Sequence, residues 1–84
     1  MKLSVYSLKK ILFQGQAEIL NCKTVMGEIT ILDNHETYIG VLTNGVIKIV
    51  EKPLGTTQGN EHFFEIKSGF VEVKPGNEVR CLVE

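Results

Sequence analysis

The most constraining stretch of this sequence is Gly27-Glu28-Ile29-Thr30-Ile31-Leu32-Asp33-Asn34-His35. Glycine reaches backbone conformations closed to other residues, so Gly27 reads as the corner that launches a strand. Ile29 and Ile31 alternate with Glu28 and Thr30, the period-2 signature of a strand with one buried face. Asp33-Asn34 closes it, because short polar side chains bond nearby backbone groups and favour turns. A carboxylate thus opens a rigid element and an imidazole follows its close, one polar handle at each end. The expectation is a central strand around which the rest of the chain is organised.

The flanking sequence repeats the same grammar. Leu3, Val5 and Leu8 read as an edge-like strand, and Ile11-Leu12-Phe13 as a short apolar run closed by Gly15. From Ala17 to Lys23 alternation resumes, with Leu20 and Cys22 on one face. Tyr38 to Leu42 holds Ile39 and Val41 on one face, and Thr43-Asn44-Gly45 carries the Asn-Gly pair that suits a type I′ hairpin turn. That turn predicts that Val46 to Glu51 pairs back on the strand before it. Lys52 to Asn60 is a polar loop with too little apolar surface to offset its ordering entropy, and it is expected to be the most mobile segment. Phe63 to Ile66, Phe70 to Val73 and Val79 to Val83 follow as strands, separated by turns at Ser68-Gly69 and Pro75-Gly76-Asn77. No window shows a 3.6-residue period. Short strands with turn signals every 8–12 residues predict an all-β fold, a flattened antiparallel sandwich or barrel, over one domain, residues 1–84.

Composition narrows the function by exclusion. The 84 residues are 43% hydrophobic and 23% charged, with a formal net charge of −1, so the chain has no electrostatic attraction to nucleic acid or to an anionic membrane. No apolar run approaches the ~18 residues a membrane span requires, and the start lacks the apolar core of a signal peptide, which predicts a cytoplasmic protein. In that reducing setting Cys22 and Cys81 read as small core residues rather than a disulfide. His35 and His62 fit no metal spacing, no phosphate-cradling Gly-x-x-x-x-Gly-Lys-Ser/Thr is present, and Ser4, Ser7 and Ser68 fit no nucleophile pattern. Neither a catalytic residue nor a cofactor or metal is expected, and nucleotide binding is not expected. Phe63, Phe64, Phe70 and Tyr38 could stack bases, but the basic groove such binding needs is missing. A binding or structural module remains.

Three segments then name a family. Leu12-Phe13-Gln14-Gly15-Gln16-Ala17-Glu18, the Gly27–His35 stretch, and Ser68-Gly69-Phe70-Val71-Glu72-Val73 occur in the order and spacing of one pattern. Together they resemble the amino-terminal domain of the epsilon subunit of rotary ATP synthases, named delta in mitochondria, over essentially the whole chain. The resemblance implies a flattened sandwich of about ten short strands. It also implies a non-catalytic seat in the central stalk, between the gamma subunit and the polar loops of the membrane proteolipid ring, peripheral to the cytoplasmic face of a bacterial membrane without lipid insertion. Glu28 matches the acidic residue of the family's ring-facing loop, and Met26 and Gly27 belong to the same expected contact. Ser7 and His35 match gamma-facing positions, with Tyr38 and Gly40 as neighbours. The coupling ion is a property of the ring and not of this chain.

The departures from the family pattern are specific. Its histidine is usually followed by a small or basic residue and then Pro-Leu, where this chain has Glu36-Thr37-Tyr38, so without the rigidifying proline this corner is expected either to be looser or to be compensated by packing of Tyr38. The usual Gly-Gly-Phe is Ser68-Gly69-Phe70, and the loop from Lys52 to Asn60 is longer than the usual hairpin. The sequence stops at Glu84, where many relatives continue into a two-helix hairpin associated with inhibition of ATP hydrolysis, so no such arm is expected. A stand-alone β-sandwich adaptor that shares the fold is the alternative reading, since fold and function separate readily.

Overall fold

Alternating burial along each strand turns the sequence pattern into two packed layers. A computed structural model describes residues 1–53 and 59–84. Among them are eight strands: β1 (Lys2–Ser7), β2 (Ile11–Thr24), β3 (Gly27–Leu32), β4 (Tyr38–Leu42), β5 (Gly45–Glu51), β6 (Glu61–Ile66), β7 (Gly69–Lys74) and β8 (Glu78–Val83). The expected all-β sandwich is observed. Its strands number eight rather than about ten because β2 runs unbroken for 14 residues through both layers. The expected mobility of the loop from Lys52 to Asn60 rests mainly on residues 54–58, which lie outside the described residues.

One layer orders as β2-β1-β8-β7-β4, using the first half of β2 against β1. The other orders as β3-β2-β5-β6, using the second half of β2. The register of β2 against β5 slips between Ala17 and Ile19, where the strand passes from one layer to the other. A single residue pair, Thr24↔Leu42, joins β2 back to β4 and closes the circuit. Every pairing is antiparallel except β1–β8, which is parallel and unites strands from near the two ends of the chain. Leu3, Val5, Leu20, Ile31, Ile49 and Val71 are among the side chains fully buried between the layers.

Three local expectations are corrected by this topology. Gly27–Leu32 is not the central strand: among the described residues β3 pairs only with β2 and lies at the side of its layer, while β2 pairs with four strands. β1 is not an edge, being flanked by β2 and β8, and Leu8 lies outside it in an exposed turn. The Asn-Gly pair does not form a hairpin. β4 pairs with β7 and β5 with β2 and β6, and neither Asn44 nor Gly45 has positive φ, so the segment crosses between layers. Thr43 N–H donates to Lys23 O at 3.0 Å and fixes that crossing. Leu42 and Ile47 are both buried, so crossing lets them close the core from opposite layers, and this burial outweighs the local turn preference.

Cys22 and Cys81 are free and buried, as their apolar strands predict. Burial pushes the Cys22 thiol up to about 11 and raises that of Cys81 as well, with Cys22 adding to the second shift, so neither is a reactive thiolate near neutrality.

Glycine is required at two strand starts for different reasons. Gly27 has φ of 124° with open space around a would-be Cβ, whereas Gly69 has φ of 148° and a Cβ there would strike the Leu82 carbonyl oxygen and come within 2.9 Å of Val83 Cα. Gly27→Ala should therefore cost only the backbone term, about 1–2 kcal/mol. Gly69→Ala adds displacement of the β8 backbone and should cost more, on the order of 2–4 kcal/mol. Thermal unfolding of the two variants checks this, since each kcal/mol lowers Tm by roughly 4–8 °C in a domain of this size; equal Tm losses would contradict the steric argument.

Candidate functional site

The expected site residues fall at opposite ends of the sandwich. Across the first layer and on to β2, Ser7 pairs with Val83, Val83 with Gly69, Gly69 with Leu42, and Leu42 with Thr24, so the turn after Thr24 shares an end with Ser7. Tyr38, Val73, Val79 and Leu3 form the row toward the other end, roughly 13 Å of strand rise away.

At the first end, a buried threonine builds the turn. Thr24 Oγ1 donates to Gly27 O at 2.8 Å and accepts from Met26 N–H at 3.1 Å, and Val25 N–H donates to Val41 O at 2.9 Å. With its backbone held on both sides, the turn projects Val25 and Met26 into solvent, Met26 being 90% exposed. Glu28 follows on the exposed side of β3, opposite Lys23. Among the described residues its carboxylate accepts only a long 3.4 Å contact from Asn21 Nδ2, which bonds Thr30 Oγ1 more closely at 2.9 Å. That leaves Glu28 with acceptor capacity for another molecule. Met26, Gly27 and Glu28 thus form one rigid apolar tip with a carboxylate beside it. Thr24 and Val25 belong to the same unit and were not singled out in the sequence, where a threonine three residues before glycine is a weak turn signal.

Ser7 serves the neighbouring turn. Its hydroxyl accepts from Lys9 N–H at 3.3 Å and Lys10 N–H at 3.2 Å and donates to Lys10 O at 3.2 Å. It shapes the Leu8–Lys10 loop, and it does not meet His35.

At the far end, the β3–β4 connection is held by a polar cluster. Asp33 binds the Met1 ammonium, Lys52 Nζ at 3.3 Å and Asn77 Nδ2 at 3.4 Å, and the ammonium also donates to Ala17 O at 2.9 Å. The Met1 hydrogen bond is the main cause that holds the Asp33 carboxyl down at about 2; burial opposes it, and Lys52 and Asn77 add to it. His35 Nδ1 lies 2.7 Å from Glu36 O, so that nitrogen carries the proton and Nε2 is left for another partner. The His35 and Tyr38 rings meet nearly edge-on, 6.2 Å apart. Tyr38 lies in turn over Gly40, where a Cβ would come within 2.7 Å of Cε2. The structure therefore brings His35, Tyr38 and Gly40 together but turns Tyr38 and Gly40 inward. Gly40 is buried and offers a partner no surface of its own.

What faces outward on β4 is apolar. Ile39 and Val41 do share a face, and it is the exposed one. Val41 stands opposite Phe70, Phe70 opposite Leu82, Leu82 opposite Tyr6 and Tyr6 opposite Ile11. This makes a cross-strand row over five strands of the first layer; Val41, Phe70, Leu82 and Ile11 are exposed and Tyr6 half-buried. Alternation tells which residues share a face, but on a strand apolar on both sides it does not tell which face is buried. No group of His, Cys, Asp and Glu among the described residues could hold a metal ion.

Residues 1–84 match the family described as ATP synthase, Delta/Epsilon chain, beta-sandwich domain. The chain is 35% identical over 72 residues to the ATP synthase epsilon chain of Clostridium novyi, covering 86% of this chain and 51% of that protein. It is 31% identical over 84 residues to the epsilon chain of Shouchella clausii, covering 100% of this chain and 58% of that one. The chain thus spans about half the length of the curated relatives it matches. Among solved structures, a chain of the Tetrahymena thermophila mitochondrial ATP synthase central stalk and c-ring superposes with a TM-score of 0.79 at 20% identity, over 99% of this chain and 62% of that one, which shows the shared fold.

The low carboxyl value of Asp33 sets an acid limit on the far end. A group depressed on folding contributes stability that is present above its unfolded value, near 4, and lost as pH falls through its folded value, here about 2. Between pH 4 and 2 the chain should lose stability partly through this cluster, and Asp33→Asn should show a shallower loss over that window. Denaturant midpoints at pH 5, 3 and 2 measure it; parallel losses in both proteins would rule Asp33 out as a contributor.

Proposed function

The chain belongs to the ATP synthase delta/epsilon β-sandwich family, and on that premise we propose that it acts as a non-catalytic central-stalk subunit of a rotary ATP synthase, seated against gamma and on the membrane proteolipid ring. The observation that carries the reading is the Val25–Glu28 tip: apolar side chains held in solvent by Thr24, with a nearly unpartnered carboxylate next to them. Exposed apolar side chains on a rigid turn suit a contact surface, and Glu28 suits the polar and often basic loops expected of a ring. This end takes the ring, with Met26, Gly27 and Glu28 in contact.

The first layer takes gamma. Ser7 and Tyr38 mark its two ends, the row from Val41 to Ile11 crosses between them, and His35 presents Nε2 at the far corner. In this arrangement Ile39 and Val41, rather than the buried Gly40, supply the contact from β4. The assembled subunit sits peripherally on the cytoplasmic face of the membrane. Its work is mechanical: a close-packed sandwich resists shear and passes rotation between two partners without deforming. Family membership gives the adaptor alternative no support.

Two measurements test the assignment. With cysteine at Glu28 and in the ring's polar loop, oxidation of the assembled complex should crosslink the two, while cysteine at Glu72 should not react; the native Cys22 and Cys81 are buried and stay silent. Equal yields at both positions would remove the ring contact from this end. Phe70 is 48% exposed, so Phe70→Ser should leave the domain folded with Tm lowered by only about 4–8 °C, yet association with a gamma-containing complex should weaken about tenfold through lost apolar burial. An unchanged affinity would take the outer row out of the gamma interface.

A further inference from the structure

Asn34 and Asn77 are the only non-glycine residues with positive φ among the described residues, at 61° and 58°. They sit in different turns, β3–β4 and β7–β8, and they meet: Asn34 N–H donates to Asn77 Oδ1 at 2.7 Å. The same Asn77 amide donates through Nδ2 to Asp33 Oδ1 at 3.4 Å, and its backbone carbonyl accepts from Lys2 N–H at 3.0 Å. Lys52, just beyond β5, reaches Asp33 Oδ2 at 3.3 Å. Three separate parts of the chain, Met1, Lys52 and Asn77, therefore converge on the two residues that precede His35.

We infer that Asn77 is a positioning residue for the His35 corner, holding it in place of the proline this chain lacks, so that the β7–β8 turn governs gamma binding without touching gamma. This rests on the stalk reading above. Among the described residues, 33–37 have no backbone–backbone bond beyond that of His35 N–H to Leu32 O at 3.2 Å. Asn34 in the left-handed region gains from a partner that fixes its N–H. Asparagine suits position 77 because it tolerates that same backbone region while its amide can accept from one turn and donate to the other. Glycine would keep the backbone and lose both contacts; aspartate would keep the acceptor for Asn34 but repel Asp33.

The experiment separates the tie from the binding. Asn77→Gly should leave amide exchange in β7 and β8 unchanged, speed exchange of the Asn34 amide at least about tenfold, and weaken association with a gamma-containing complex about five- to tenfold. Asn77→Asp, which restores the acceptor, should recover most of the Asn34 protection. Faster Asn34 exchange with unchanged affinity overturns the positioning role, and unchanged exchange overturns the tie itself. If the unaltered chain fails to bind gamma while Asn34 exchange responds as stated, the stalk reading falls and the tie stands.

Discussion

A sandwich of this size stands or falls on what keeps its two layers in register, and here that is the continuous hydrogen-bonded run of β2. A chain of 84 residues buries only about 60% of its unfolded surface, so apolar contact between the layers leaves little margin. Contact of that kind is also non-directional and does not resist sliding. β2 supplies direction: its first half is laddered to β1 and its second half to β3 and β5. For one layer to shift against the other, a ladder must break or the Ala17–Ile19 slip must unwind. Ala17 at that crossing is fully buried, its N–H donating to Met1 O, which anchors the passage where it is most exposed to strain.

From that frame follow two ends with different chemistry. The Met26 end is built from backbone bonds and one buried hydroxyl, leaving apolar side chains outside. The His35 end is built from charge and amide contacts around Asp33 and Asn77. Each has its own physics: the bonds that shape the first involve no charged group, and those that shape the second depend on a carboxylate staying ionised. Both are fastened to strands of the same frame, the first between β2 and β3 and the second between β3 and β4.

How far the sequence exposes this depends on whether the deciding interaction is local. Strand positions, the Gly27 and Pro75-Gly76-Asn77 turns, and the burial of Cys22 and Cys81 follow from alternation and turn chemistry, which act over a few residues. The position of β3 at the side of its layer does not, because every strand with one apolar face looks alike until its partners are known. The Asn44-Gly45 turn went the other way from its local preference because Leu42 and Ile47 close the core from opposite layers. Ile39 and Val41 were legible as a pair but not as an outward pair. Of the candidate site, Met26, Gly27, Glu28 and His35 are readable through family pattern, while Thr24 matters through side-chain bonds inside its own turn and Asn77 through contacts with another turn, neither of which alternation shows.

The parallel pairing of β1 with β8 has a consequence for how the protein comes into being. A short turn joins β2 to β3 and β7 to β8, whereas Lys2–Ser7 and Glu78–Val83 pair across nearly the whole intervening chain, so their contact carries the larger loop-closure cost. Until β8 arrives, β1 and β7 each show an unpaired edge, the kind of surface that other unfinished chains adhere to. β8 is therefore the latch of the whole sandwich, because it alone covers the open edges of β1 and β7, and the interval before it joins them is when the fold is most open to adhesion.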